Sequence, residues 1–140
     1  MNPLQLALTH LREGRVVGVP TDTVYGLAAD PLQPLAVEAL FELKGRDRSK
    51  PVGLLVADAS TAQAWVQLPE YAVPWAERFW PGPLTLVGHP RRTLPEGVGD
   101  HQRHTVGVRV PDHPVIRQLL EAWGPLAVTS ANRSGEAETL

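Results

Sequence analysis

Residues 44–50, KGRDRSK, hold four cations (Lys44, Arg46, Arg48 and Lys50) against one acid, Asp47. Lysine offers a compact point charge and arginine a planar fork of donors, and polyphosphate recognition commonly uses both. The simpler reading is a solvated basic loop at a helix end, where cations complement the helix dipole. Thirteen residues of the chain are basic. Only Lys44 and Lys50 are lysines, and both fall in this stretch.

Two more polar clusters follow apolar, strand-like runs. PTDT, residues 20–23, packs two threonines and an aspartate ahead of Tyr25. TSAN, residues 129–132, runs into the polar turn NRSG. Either could be a turn whose hydroxyls and carboxylate bond their own backbone, or part of a binding site. Arg109 stands inside VGVRV. An arginine among strand valines lies on a solvated face or is held for an anion, and a bidentate fork on a carboxylate is the sharper form of the second reading. Trp80 with PGPLT reads as core plus a rigid turn. The chain has neither a P-loop nor a G-x-G-x-x-G fingerprint, and no G-x-S-x-G elbow that would make Ser130 a nucleophile. His101, His104 and His113 follow no familiar zinc spacing, and no metal ligand is assigned.

The elements that must carry these residues alternate in type. Leu4, Ala7, Leu8 and Leu11 recur at helical spacing, with Gly14 as a C-cap. RVVGVP reads as a short buried strand, and TDTVYGLAAD as a loop returning as a strand. Leu35, Ala36, Ala39, Leu40 and Leu43 form a helical stripe that stops at KGR. VGLLVA is the next strand, and Asp58 or Ser60 caps a helix running through Trp65. PEYAVPWAERFW reads as a helix ended by PGP, LTLVG as a strand, and 89–104 as a long loop. TVGVRV is a strand, DHPVIRQLLEAW a helix with Asp112 near its N-cap, and PLAVTSAN a final strand entering a turn. Alternating strands and helices predict an α/β layer architecture. In such folds ligands tend to lie beyond the carboxyl ends of strands.

The chain has 140 residues, a length that suits one domain with a real core. Hydrophobic residues make up 43% and charged residues 20%, the balance of a globular rather than a disordered chain. Net charge is -2, which argues against broad nucleic-acid coating but leaves room for a local basic groove. Without cysteine there is neither a disulfide framework nor a Cys-based zinc site. The N-terminus lacks the charge and apolar core of a signal peptide. No apolar run approaches the roughly 18 residues of a membrane span, and a cytoplasmic address is the expectation.

Five segments, PTDTVYGLAAD, KGRDRSKPVGLLV, FWPGPLTLV, TVGVRVPDHP and TSANRSG, occur in an order and spacing that resembles the YrdC/TsaC family of threonylcarbamoyl-AMP synthases. The resemblance covers nearly all of residues 1–138. It implies a YrdC-like fold: a twisted, mostly open mixed sheet with flanking helices and a concave basic face, as a single domain over 1–140. Family members usually continue for some tens of residues, so the domain is expected to be C-terminally incomplete. The implied reaction joins ATP, L-threonine and bicarbonate to give threonylcarbamoyl-AMP and pyrophosphate. A downstream threonylcarbamoyl-transferase then modifies tRNA. By residue, the resemblance places Lys44, Arg46, Lys50, Thr105 and Asn132 at ATP, and Thr23, Arg109 and Ser130 at threonine. Lys50 falls where relatives often carry Asn. No residue is assigned as a general base. Several anions must converge, so fixed cations and Mg²⁺ carried with ATP are implied. Two other classes compete: a non-catalytic module holding double-stranded RNA on the concave face, and a carbamoyl-adenylate enzyme like the YrdC-like domain of hydrogenase maturation proteins.

Overall fold

The computed structural model describes residues 2–45 and 50–130. Helix α1 (Pro3–Arg12) starts in a capping box: Asn2 Oδ1 accepts from the Gln5 N–H at 2.8 Å, and Gln5 Oε1 accepts from the Asn2 N–H at 3.2 Å. Glu13 is its C-cap, and Gly14 follows in the left-handed region at φ 78°. Strands β1 (Val17–Pro20) and β2 (Tyr25–Ala29) form an antiparallel pair. The other helices are α2 (Pro34–Lys44), α3 (Ala59–Trp65), α4 (Val73–Phe79) and α5 (Pro114–Trp123). The other strands are β3 (Gly53–Leu55), β4 (Val66–Gln67), β5 (Leu86–Pro90), β6 (Val106–Arg109) and β7 (Leu126–Ser130).

All seven strands join one mixed sheet in the order β1-β2-β7-β3-β6-β5-β4. The β3–β6 pair is parallel and the other neighbours are antiparallel. Alternation along the strands separates two faces. Ala29, Leu54, Val106, Val108 and Ala127 point to one face and pack with residues of α2 and α3. Val19, Ala28, Leu55 and Leu126 point to the other, under α1 and α5. This second face is covered only in part, and its open remainder holds the site.

Several local expectations are corrected. β1 is an edge strand in which only Val19 is buried, not a buried strand. The inner stripe of α2 is Ala36, Val37, Leu40, Phe41 and Lys44, while Leu35 and Leu43 face outward. The helix is apolar on most sides, so its periodicity fits either rotation. α4 begins only after a 3-10 turn at Glu70–Ala72. β5 runs on through His89 and Pro90, which pair with the short strand β4, an element the sequence reading lacked. His113, not Asp112, caps α5: its Nδ1 accepts from the Val115 N–H at 3.2 Å. Pro114 opens the helix, and Asp112 stands one residue before the cap, near it as expected.

Candidate active site

Three glycines make the floor of the open face. Gly26 on β2, Gly53 on β3 and Gly107 on β6 share that face by register. Side chains there would close the space: a Cβ on Gly107 would stand 3.0 Å from Thr85 Cγ2, and one on Gly53 would stand 3.0 Å from the Gly107 carbonyl oxygen. The result is a cavity of about 220 Å³, walled also by Thr21, Thr23, Thr85, Val128, Ser130 and Arg109. Glycine inside a strand often marks close approach of a ligand or another backbone. The patterns YGLAA, VGLLV and VGVRV carried that signal, and the sequence reading did not use it.

Arg109 ends β6 at one side of this cavity, with its side chain 13% exposed. Its guanidinium is held on two edges. Nε donates to the Gly82 carbonyl at 2.8 Å, and Nη2 is ion-paired with Asp22 Oδ1. Nη1 donates to Thr23 Oγ1 at 3.3 Å. Gly82 is itself tied to the residue after β6, since its N–H donates to the Val110 carbonyl at 2.8 Å. The indole of Trp80 packs against the core while its Nε1 donates to Leu84 O at 2.7 Å. The WPGPLT segment thus braces the arginine as well as filling core. Neither a solvated arginine nor a fork left open for a ligand describes Arg109. One edge of its fork already holds an internal carboxylate.

The PTDT loop divides its labour. Thr21 makes the local turn, with Oγ1 accepting from the N–H groups of Thr23 at 3.3 Å and Val24 at 3.2 Å. Asp22 instead reaches across to β6, and Thr23 Oγ1 meets both Arg109 Nη1 and, at 3.2 Å, Thr21 Oγ1. Asp22 Oδ2 also accepts from the Asp112 N–H at 3.0 Å, which joins this loop to the approach to α5.

Ser130 lies at the opposite end. Arg109 is level in register with Leu55 and Leu126, and Ser130 is four residues further along β7. At roughly 3.3 Å per residue the two backbone positions are offset by about 13 Å along the strand direction, with β3 between them. Lys44, 4% exposed, reaches the end of β7: Nζ donates to the Ser130 carbonyl at 3.0 Å and to Ser130 Oγ at 2.8 Å. The lysine that looked like part of a solvated loop is therefore interior. Because β6 and β7 run in opposite directions, the site spreads over the face of the sheet instead of lying beyond one set of strand ends.

Of the residues singled out from the sequence, Thr23, Arg109 and Ser130 are brought to one cavity, and Lys44 touches it through Ser130. Thr105 alternates onto the same face as Gly107 and Arg109 but borders a second cavity of about 320 Å³, beside Arg91, Arg92, His101 and His104. Lys50 is exposed. Arg46, Asn132 and the NRSG turn lie outside the described residues. Among the described residues, Arg109 is the charged side chain of the main cavity wall, so the expected basic character of this face rests there on Arg109, with Lys44 at its end. His101 and His113 are far from a shared cluster in role. His101 Nε2 meets the Pro95 carbonyl while His113 caps α5, and among the described residues no group of three His, Asp or Glu could hold a metal ion.

The telomere recombination model of the Sua5, YciO and YrdC proteins matches residues 9–140, almost the whole chain. The chain belongs to the Sua5/YciO/YrdC family. A member from Vibrio vulnificus, a threonylcarbamoyl-AMP synthase, is 37% identical over 139 residues, covering 96% of this chain and 74% of its own. A Mycobacterium tuberculosis relative is 44% identical over 130 residues, covering 92% of this chain and 59% of its own, so the chain spans about three fifths of that relative's length. Among solved members of the family, Pyrococcus abyssi Sua5 complexed with L-threonine superposes with a TM-score of 0.90 at 39% identity, over 97% of this chain and 40% of that one.

Proposed function

We propose that this chain carries the synthase site that makes threonylcarbamoyl-AMP and pyrophosphate from ATP, L-threonine and bicarbonate. The observation that carries the reading is the pairing of Arg109 with Thr23 on a glycine-floored cavity that Ser130 also lines, with Lys44 bonded to Ser130. It is supported by the likeness to a Sua5 that was solved with L-threonine. Arg109 and Thr23 suit an amino-acid carboxylate, because an arginine N–H and a hydroxyl both donate to it. Lys44 suits a phosphate as a point charge, and Ser130, placed at threonine by the resemblance, is the residue Lys44 holds. Arg46, Lys50, Thr105 and Asn132 complete the proposed nucleotide contacts.

The chemistry balances in two steps. The threonine amine attacks the carbon of bicarbonate, water leaves, and a carbamate forms. A carbamate oxygen then attacks the α-phosphorus of ATP, and pyrophosphate leaves. The chain's share is to place anions side by side and offset their repulsion, which is where positioned charge and orientation lower a barrier most. Mg²⁺ enters with ATP as part of the substrate, since the cavity wall offers hydroxyls and a cation but no carboxylate among the described residues. The product would pass to a threonylcarbamoyl-transferase acting on tRNA. A cytoplasmic address goes with that supply of ATP, threonine and tRNA. Among the described residues, no helix is long and apolar enough to cross a membrane.

The test is pyrophosphate release from Mg–ATP with L-threonine and bicarbonate added singly and together. Release that requires both is the expected result. Release without threonine would sink the reading. Silence from this chain together with release from a chain extended to the length of its relatives would place part of the machinery beyond residue 140. Silence from both, with tight and strongly salt-dependent uptake of double-stranded RNA, would favour the binding module instead.

A further inference from the structure

The synthase reading gives Asp22 no part, yet Asp22 is the partner of the site's main cation. Its side chain is 14% exposed, and both carboxylate oxygens are engaged, Oδ1 by Arg109 and Oδ2 by the Asp112 N–H. Thr21, Thr23 and Arg109 line the cavity, but Asp22 does not. The carboxylate therefore lies off the cavity wall, paired with a guanidinium that is on it. It is not lodged where a ligand would go.

A guanidinium carries five N–H donors in a rigid plane. Gly82 takes the Nε edge and Asp22 takes Nη2, so the plane cannot turn about its stem. The edge left facing the cavity is Nη1, beside Thr23 Oγ1. That hydroxyl accepts from Nη1 and also meets Thr21 Oγ1 at 3.2 Å; Thr21 gives its own proton to the Val24 carbonyl, so the Thr23 proton rests on Thr21 and turns from it to donate to a ligand. We propose that Asp22 is a positioning residue: with the Gly82 carbonyl it clamps Arg109, so that Nη1 and the Thr23 hydroxyl form an end-on donor pair for the carboxylate of a small amino acid. The bidentate fork expected from the sequence is replaced by this pair.

The opposite role, an internal carboxylate that competes with the ligand for Arg109, makes the opposite forecast. Removing a competitor tightens ligand binding, and removing a clamp weakens it.

The ligand arm of the test rests on the synthase reading, and a second arm does not. Calorimetry on the full chain compares L-threonine and Mg–ATP binding for the parent and for Asp22→Asn, a nearly isosteric change. Threonine affinity is expected to fall about tenfold or more, with ATP affinity held within about twofold, because misplacing one donor costs the ligand it serves. In an Arg109→Ala background the Asp22 change should add nothing. The second arm reads the Arg109 Nε–H resonance by nitrogen-15 NMR without any ligand. It should be protected from exchange in the parent and broadened in Asp22→Asn. Should Asp22→Asn not fold, Asp22→Glu keeps the charge but displaces it by one methylene, and it is expected to fold and still lose threonine. Unchanged or tighter threonine binding, or equal loss of threonine and ATP, overturns the clamp. If the parent takes up no threonine, the Nε–H resonance alone decides: unchanged protection in Asp22→Asn overturns the proposal, whatever becomes of the synthase reading.

Discussion

A lysine ammonium taken down to 4% exposure keeps its charge only with good partners, and Lys44 has two on Ser130. Lys44→Ala should therefore act twice. It removes the point charge proposed for ATP, and it leaves the end of β7 without its donor. Calorimetry should show weaker ATP binding, and urea unfolding a loss of about 1.5–3 kcal/mol, the usual net worth of hydrogen bonds to a charged group. Normal ATP affinity would remove Lys44 from the phosphate site. Arg109→Ala belongs to the other end of the cavity. It should weaken threonine by about 2–4 kcal/mol and ATP by far less, since one partner of a desolvated charge contact is lost. Equal losses would deny Arg109 its assignment. Asp22 and Gly82 explain why this arginine is more than a charge: its orientation is set by groups 87 and 27 residues away in the chain.

Helix ends are decided locally. Asp58 caps α3, accepting from the Thr61 N–H at 2.7 Å. That backbone bond, then the bond from the Thr61 hydroxyl, holds the Asp58 carboxyl below the usual carboxylate range, with Arg117 adding a smaller pull. A carboxyl whose folded pKa lies below its unfolded one lends stability above the unfolded pKa and loses it as pH falls through the folded one. Asp58→Ala should thus cost about 1 kcal/mol at neutral pH, the usual size of an N-cap. Paired urea titrations should show the gap between parent and variant closing in acid below the carboxylate range. A gap that persists there would assign the loss to packing instead. The cap was legible because an acid stood three residues before the N–H it accepts. The rotation of α2 was not legible, because Leu35 and Leu43 are as apolar as Val37 and Phe41, and the sheet chose between them.

At the scale of the whole molecule, the cavity exists because α1 and α5 cover only part of one sheet face and because three strands put glycine on the rest. Gly107→Ala tests that floor. Its new Cβ would crowd Thr85 Cγ2 at 3.0 Å. Ligand uptake by calorimetry should fall about tenfold, with only a small change in melting temperature, since the added methyl enters the cavity and not the core. Unchanged uptake would mean that no ligand approaches the floor. The fold class and most element positions were readable from periodicity and breakers. β4 was not, because two residues paired to the end of β5 leave no period to detect.

The sequence by itself determined the local facts: helix stripes, caps, turn residues, the absence of cysteine chemistry, and a set of polar clusters in a family's order. Each of these depends on neighbours within a few residues. Tertiary structure alone decided which clusters meet. The mixed sheet runs β6 against β7 and spreads Arg109 and Ser130 across one face. The PTDT loop folds back to spend Thr21 on its own turn and Asp22 on the arginine. Lys44 goes inside because the chosen rotation of α2 aims it at the end of β7. Charge counts in a sequence cannot distinguish a cation waiting for a ligand from one already paired, because that depends on contacts made by residues far apart in the chain.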